Sequence, residues 1–195
     1  MQTSNLIKYR TKNPVQKKLI DRFQNRLVIM LVGKREISYV VDVGCGEGFG
    51  LYHLKANGIG DRYLGIDASS EALRLARQVN PGFKYRKGDI YKLPFKDKSV
   101  DLVVCCEVLE HLEDPEAALS ELKRVSKKYI LLSVPLEPWF RLLNFARGKY
   151  LKTWGNHPEH INWWGKKSLA RMMSRHVKML RHEVSLPWQM MLVQV

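Results

Sequence analysis

VVDVGCGEGFG, residues 40–50, runs from β-branched residues through Asp42 into glycines at positions 44, 46, 48 and 50. The apolar run reads as a buried strand. Alternate glycines directly after it read as a turn whose backbone is closely approached by something else. A phosphate-gripping loop needs Gly-Lys-Ser/Thr after the glycines, and Gly48-Phe49-Gly50 supplies neither lysine nor hydroxyl. A dinucleotide turn has its last glycine in the sixth position. Counted from Gly44 that position is Phe49, which counts against NAD-dependent hydride chemistry.

Outward from this turn the chain alternates. ISYVVDV reads as a strand, GLYHLKANG as a helix stopping at Gly58, RYLGID as a strand, and SSEALRLARQVNPG as a serine-capped helix. FKYRKGDI is a weaker strand and SVDLVVCCEV a strong one. Asp114-Pro115 opens a helix to about Val125, and KYILLSVP closes the series. Upstream, Val15, Leu19, Phe23, Leu27 and Met30 recur at helical spacing after Asn13-Pro14, and this helix ends near Gly33. Strand and helix in alternation predict an α/β fold: a doubly wound, mostly parallel sheet with helices on both faces. After Pro135 the rhythm breaks into a long aromatic insertion holding Trp139, Trp154, Trp163 and Trp164. KKSLARMMSRH returns to helix, and VKMLRHEVSL with WQMMLVQV predicts an antiparallel hairpin at the sheet edge.

At 195 residues, with 45% hydrophobic and 27% charged residues, the chain fits one soluble domain. The expected divisions are a basic helical cap (1–36), a core (37–135), an aromatic basic cap (136–176) and a closing hairpin (177–195). No apolar run approaches the length of a membrane span, and MQTSNLIKYRTKN does not read as a secretory signal. Cys45, Cys105 and Cys106 fit a reducing compartment, so a cytoplasmic location is expected. The net charge of +14 is uneven. Residues 1–36 carry +7 and residues 141–195 carry +8, around a core of −1.

VVDVGCGEGFG, LGIDAS, KGDIYKLPF and FKDKSVDLVVCCEVLEHLEDP, in that order, resemble the successive motifs of class I S-adenosylmethionine (SAM) dependent methyltransferases, small members of the type 11 group in particular. The resemblance covers residues 37 to about 135. It implies SAM as cofactor and S-adenosylhomocysteine as product. By resemblance, Asp42 with Gly44, Cys45 and Gly46 holds the methionine end. Asp67, with Ala68, meets the ribose hydroxyls, and Asp89 meets the adenine amino group while Ile90 packs on the ring. Cys106 and Glu107 line the cofactor's central portion. The competing structural readings are a loop-stapling Asp42, a helix-capping Asp67 and a turn aspartate at 89.

Chemistry beyond the cofactor is expected from His157-Pro158-Glu159-His160, whose histidines are candidates for a general base or for plain loop packing. The same four residues make a weak metal motif, so no metal is expected. Glu110-His111, common in relatives with many substrates, reads as structural or as part of the cofactor pocket. Tyr9 and the insertion's tryptophans either cover the sulfonium, hold a flat acceptor, or form a small core of their own. In this fold both basic flanks are expected over the cofactor mouth. The favoured partner is a small, anionic acceptor. RNA is a second possibility, and a lipid or quinone headgroup a third, because WFRLLNFARGKYLK mixes apolar and basic residues like an interfacial helix, although a lid packed on its own domain is the favoured reading of that helix. A different class of answer is a SAM-binding or nucleic-acid-binding protein with no turnover.

Overall fold

The computed structural model describes residues 4–34 and 36–195, so residues 1–3 and 35 of the expected N-terminal cap lie outside the described residues. Its elements follow the alternation read from the sequence. Strands are β1 (Tyr39–Val43), β2 (Arg62–Asp67), β3 (Lys84–Lys87), β4 (Val100–Cys106), β5 (Ser126–Pro135), β6 (Lys178–Ser185) and β7 (Trp188–Gln194). Helices are α1 (Ser4–Tyr9), α2 (Pro14–Leu31), α3 (Phe49–Ala56), α4 (Ser70–Val79), α5 (Pro115–Val125), α6 (Trp139–Ala146) and α7 (Lys166–Ser174). The short α1 was not anticipated, because six residues are too few to show a periodicity.

The strands form one seven-stranded sheet in the order β3-β2-β1-β4-β5-β7-β6. The first five are parallel, and β7 pairs antiparallel with both β5 and β6. The hairpin does close the edge, with its second strand inserted against β5. Period-two alternation divides the inner strands between two cores. Val41, Val103, Ile130, Leu132 and Met191 face α5 and α7, while Val40, Leu102, Leu131, Met190 and Leu192 face α2 and α3. Burial on both faces is why these strands read as continuous apolar runs.

Side chains set the helix starts. Asn13 Oδ1 accepts from the amides of Val15 and Gln16, Ser69 Oγ from Ala72, and Asp114 Oδ1 from Ala117. Along α2, Phe23, Leu27 and Met30 are buried as their spacing predicts. Val15 is 68% exposed, and Ile20 packs inward in its place. The chain crosses from β1 to β2 on one side and to β4 on the other. That reversal opens a crevice at the carboxyl ends of β1 and β4, where open α/β sheets bind ligands. No helix among the described residues is long and apolar enough to cross a membrane.

Candidate active site

The glycine turn fills the mouth of that crevice. The amides of Gly44 and Cys45 both donate to the Ile66 carbonyl at the end of β2, at 2.8 and 3.0 Å. Gly44 has φ +78° and Gly48 φ +79°, conformations that side chains strain to adopt. A Cβ on Gly44 would lie 2.2 Å from Val108 Cγ2, and one on Gly48 would lie 2.2 Å from the Tyr85 hydroxyl. The close approach inferred from the sequence is therefore at least partly internal, since the β4 loop and β3 already press on the turn.

Asp67, at the end of β2, pins this turn from the other side. Its Oδ2 accepts from Gly46 N and its Oδ1 from Ser69 N, both at 2.8 Å. Each oxygen keeps a second lone pair for a ligand hydroxyl. Asp67 thus takes the loop-stapling role expected as the alternative for Asp42, and that role is compatible with ligand binding. Helix capping itself belongs to Ser69, and Ala68 between them is exposed. Asp42 is 4% exposed, and burial together with the charge of Asp67 pushes its carboxyl up to about 7.

Asp89 corrects one placement. It lies two residues past the end of β3, exposed, with Oδ1 accepting from Tyr91 N at 2.9 Å in a tight turn. The turn reading of Asp89 is the observed conformation. Ile90 packs half-buried against the first core.

At the end of β4, Cys106 is the last strand residue, and Glu107 begins the loop in a left-handed conformation with φ +59°. The strand read over SVDLVVCCEV therefore ends one residue before Glu107. Ser133 Oγ donates to Glu107 Oε1 at 2.9 Å, and burial raises its carboxyl while the Lys8 ammonium pulls it down. Burial also raises the Cys106 thiol. Lys8 and Tyr9 reach this point from α1. The Lys8 Nζ rides 4.8 Å from the Trp188 ring, and Tyr9 stacks on Phe49 at 4.5 Å, its hydroxyl pushed up by burial and by the nearby Cys106, Glu107 and Asp42. Nothing in the sequence singled out Lys8. Placing it needs the α1–sheet contact.

Glu110 and His111 sit in a short 3₁₀ turn, Leu109–His111, ahead of α5. The HPEH loop docks on that turn. Ile161 N and Asn162 N both donate to the Glu110 carbonyl, at 2.9 and 3.1 Å, and Asn162 Nδ2 donates to the Leu112 carbonyl at 2.6 Å. The docking carries His160 onto His111, ring centres 4.9 Å apart, with His157 stacked on His160 at 4.8 Å. Burial and the neighbouring histidines lower His160 to about 3, and burial also lowers His157. Both rings are neutral at physiological pH, and His160 in particular is a poor proton acceptor.

The insertion departs from expectation. Of its tryptophans only Trp164 is buried, while Trp139, Trp154 and Trp163 are 52%, 78% and 50% exposed. Three of the four therefore do not form a small core. Along α6, Leu142, Leu143 and Phe145 are also exposed and only Asn144 is buried, so α6 is not a lid packed down on its own domain. The basic flanks do not converge on the mouth as a whole. Arg26 and Arg181 both pair with Glu183, and Arg22 donates to Ser185 Oγ, all at the β6 edge. A cavity of about 730 Å³ between α5 and α7, lined by Asp114, Ser120, Asn162, Trp163 and Met172, shares no residue with the expected cofactor set.

Residues 41–131 match the methyltransferase domain family. An uncharacterized methyltransferase of Schizosaccharomyces pombe is 41% identical over 110 residues, half of this chain and 39% of that protein. A ubiquinone biosynthesis O-methyltransferase of Coxiella burnetii is 29% identical over 180 residues, 83% of this chain and 71% of that protein. Otherwise the chain spans between about a quarter and two-fifths of the length of the first curated relatives it matches. A SAM-dependent methyltransferase from Aquifex aeolicus superposes over all of both chains, with a TM-score of 0.71 at 23% identity. The magnesium protoporphyrin IX methyltransferase of Synechocystis, solved with bound S-adenosylhomocysteine, gives 0.66 over 94% of this chain and 88% of its own. The glycine turn and the sheet order agree with the domain match: residues 41–131 carry a methyltransferase domain, on the fold seen in SAM-dependent methyltransferases.

Proposed function

We propose that the protein transfers a methyl group from SAM to a small acceptor, acting as one domain with residues 136–176 as its substrate cap. The observation that carries this reading is the gathering of Asp42, Asp67 and Glu107 around one glycine turn at the crevice. When bound, SAM supplies an electrophilic methyl group, and the electrons of its carbon–sulfur bond return to sulfur as the acceptor's lone pair takes the carbon. The chain's part is alignment. Orientation alone supplies on the order of 7–11 kcal/mol in favourable cases.

In this reading Asp42, with Gly44, Cys45 and Gly46, holds the methionine end. Asp67, beside Ala68, uses its spare lone pairs on the ribose hydroxyls. Asp89 and Ile90 take the adenine, and Cys106 and Glu107 run along the centre. His157 and His160 lie on the acceptor side. The low basicity of His160 argues against it as a general base, so a proton leaving the acceptor passes to His157 or to solvent.

Of the acceptor classes, an amphiphilic small molecule of lipid- or quinone-headgroup type gains support. The exposed Trp139, Leu142, Leu143 and Phe145 on α6 offer an apolar surface, with Arg141 and Arg147 beside it. The Coxiella relative, named for ubiquinone biosynthesis, points the same way. RNA loses support because several flank charges pair with each other at the β6 edge.

The test is release of S-adenosylhomocysteine from labelled SAM, in the presence of phenolic, catecholic and carboxylate acceptors with and without an apolar tail. Turnover limited to the tailed acceptors is expected. SAM binding without turnover on any of them favours the idle SAM-binding alternative.

A further inference from the structure

We propose that Glu110, His111 and His160 bind a divalent transition-metal cation at the acceptor side of the crevice. One donor atom from each lies within 4.8 Å of the others. An ion about 2.1 Å from each ligand holds its donors about 3–3.5 Å apart, so the site closes with side-chain movements of roughly 1 Å.

The Glu110 carboxylate is the strongest pointer. Its residue is 1% exposed, and neither oxygen meets a hydrogen-bond donor among the described residues. A buried carboxylate left without a donor is destabilising, and most folds eliminate it or give it a partner. His160 is 7% exposed, and its Nδ1 is also buried without a partner. Two groups, 50 positions apart in the chain, thus each carry a buried, unpartnered polar atom within one cluster of potential ligands.

His111 completes the set with its outer contact in place. Its Nδ1 lies 2.9 Å from the Glu159 carbonyl. Donation to that carbonyl fixes the tautomer and leaves the Nε2 lone pair free, as in many metal-ligating histidines. The hydrogen bonds from Ile161, Asn162 and His111 hold the two loops together without any ion, so the site is largely preorganised.

Two imidazoles and one carboxylate suit Zn²⁺, Mn²⁺, Fe²⁺ or Co²⁺ better than Mg²⁺ or Ca²⁺. Three protein ligands leave coordination positions open. If the protein is the methyltransferase proposed above, an oxygen of the acceptor fills one of them. The cation then favours loss of its proton to solvent and fixes it for attack. The sequence alone concealed this site, because His160 comes from HPEH but its partners come from the turn after β4.

The test is a titration of chelator-treated, full-length protein with Co²⁺, read by visible d–d absorption, with SAM calorimetry on the same samples. One Co²⁺ per chain is expected, and Glu110→Gln and His111→Ala should each weaken it at least tenfold while both variants still melt cooperatively. His157→Ala should keep Co²⁺ affinity within about twofold. No saturable band in folded protein overturns the proposal, as does a band that survives both ligand substitutions. Loss of the band in His157→Ala alone moves the site to the HPEH loop and overturns this assignment. Since the titration needs neither SAM nor an acceptor, Co²⁺ binding without SAM binding refutes the methyl-transfer reading only. SAM binding without Co²⁺ binding refutes the metal site only.

Discussion

The carboxylates Asp67, at the end of β2, and Glu110, in the turn after β4, have opposite surroundings. Asp67 accepts a backbone amide on each oxygen, whereas Glu110 is buried and accepts from none among the described residues. The glycine turn, proposed above to hold the cofactor, is thus pinned by neighbouring strand ends, Asp67 and Ile66 of β2 among them. The proposed acceptor side is assembled by a loop arriving from 50 residues downstream. A group already satisfied by its own chain can bind a ligand with little rearrangement, while an orphaned one is waiting for a partner.

The sharpest way to break the first half is Gly44→Ala. The new Cβ meets Val108 in a backbone conformation that alanine resists, so a loss of roughly 2–4 kcal/mol is expected, read as a fall in melting temperature. A drop under 1 kcal/mol would mean that the turn adapts and that the contrast in rigidity is wrong. Next in size, Asp67→Ala should weaken SAM at least tenfold, or about 1.4 kcal/mol, by calorimetry. Asp67→Asn separates the two roles, since it keeps an acceptor for one amide and removes the charge. Unchanged affinity in both variants removes the ribose assignment.

A pH-dependent effect concerns Asp42. Its folded carboxyl titrates near 7, above the ordinary 3.8, so the folded state holds a proton that the unfolded state releases. The stability it contributes is complete below about pH 4 and is lost as pH rises through about 7. The melting temperature of Asp42→Asn relative to the parent should therefore rise between pH 5 and pH 8. A constant difference means that Asp42 is ionised throughout. The smallest effect is expected from Trp154→Ala in the cap. At 78% exposure it should change stability by less than about 0.5 kcal/mol. Its influence, if any, belongs to turnover of tailed acceptors.

The same division governs what could be read from the chain. The parallel sheet, the helix caps at Asn13, Ser69 and Asp114, and the glycine turn are written in residues adjacent in sequence. Periodicity and capping chemistry therefore disclose them. Asp89 was displaced by two residues because β3 is short, and its charged residues lack a period-two signal. The aromatic insertion misled in another way. Tryptophan counts show how much apolar area exists but not which side of a helix meets the domain, and three of the four proved exposed. Lys8 over Trp188, and His160 over His111 and Glu110, are contacts between distant segments with no local pattern to announce them.

Calorimetric titration of the purified protein with SAM, alongside S-adenosylhomocysteine and NADH, tests the central claim most directly. Micromolar binding of the first two with no heat from NADH is the predicted result. A folded sample that gives no heat with SAM would contradict the account.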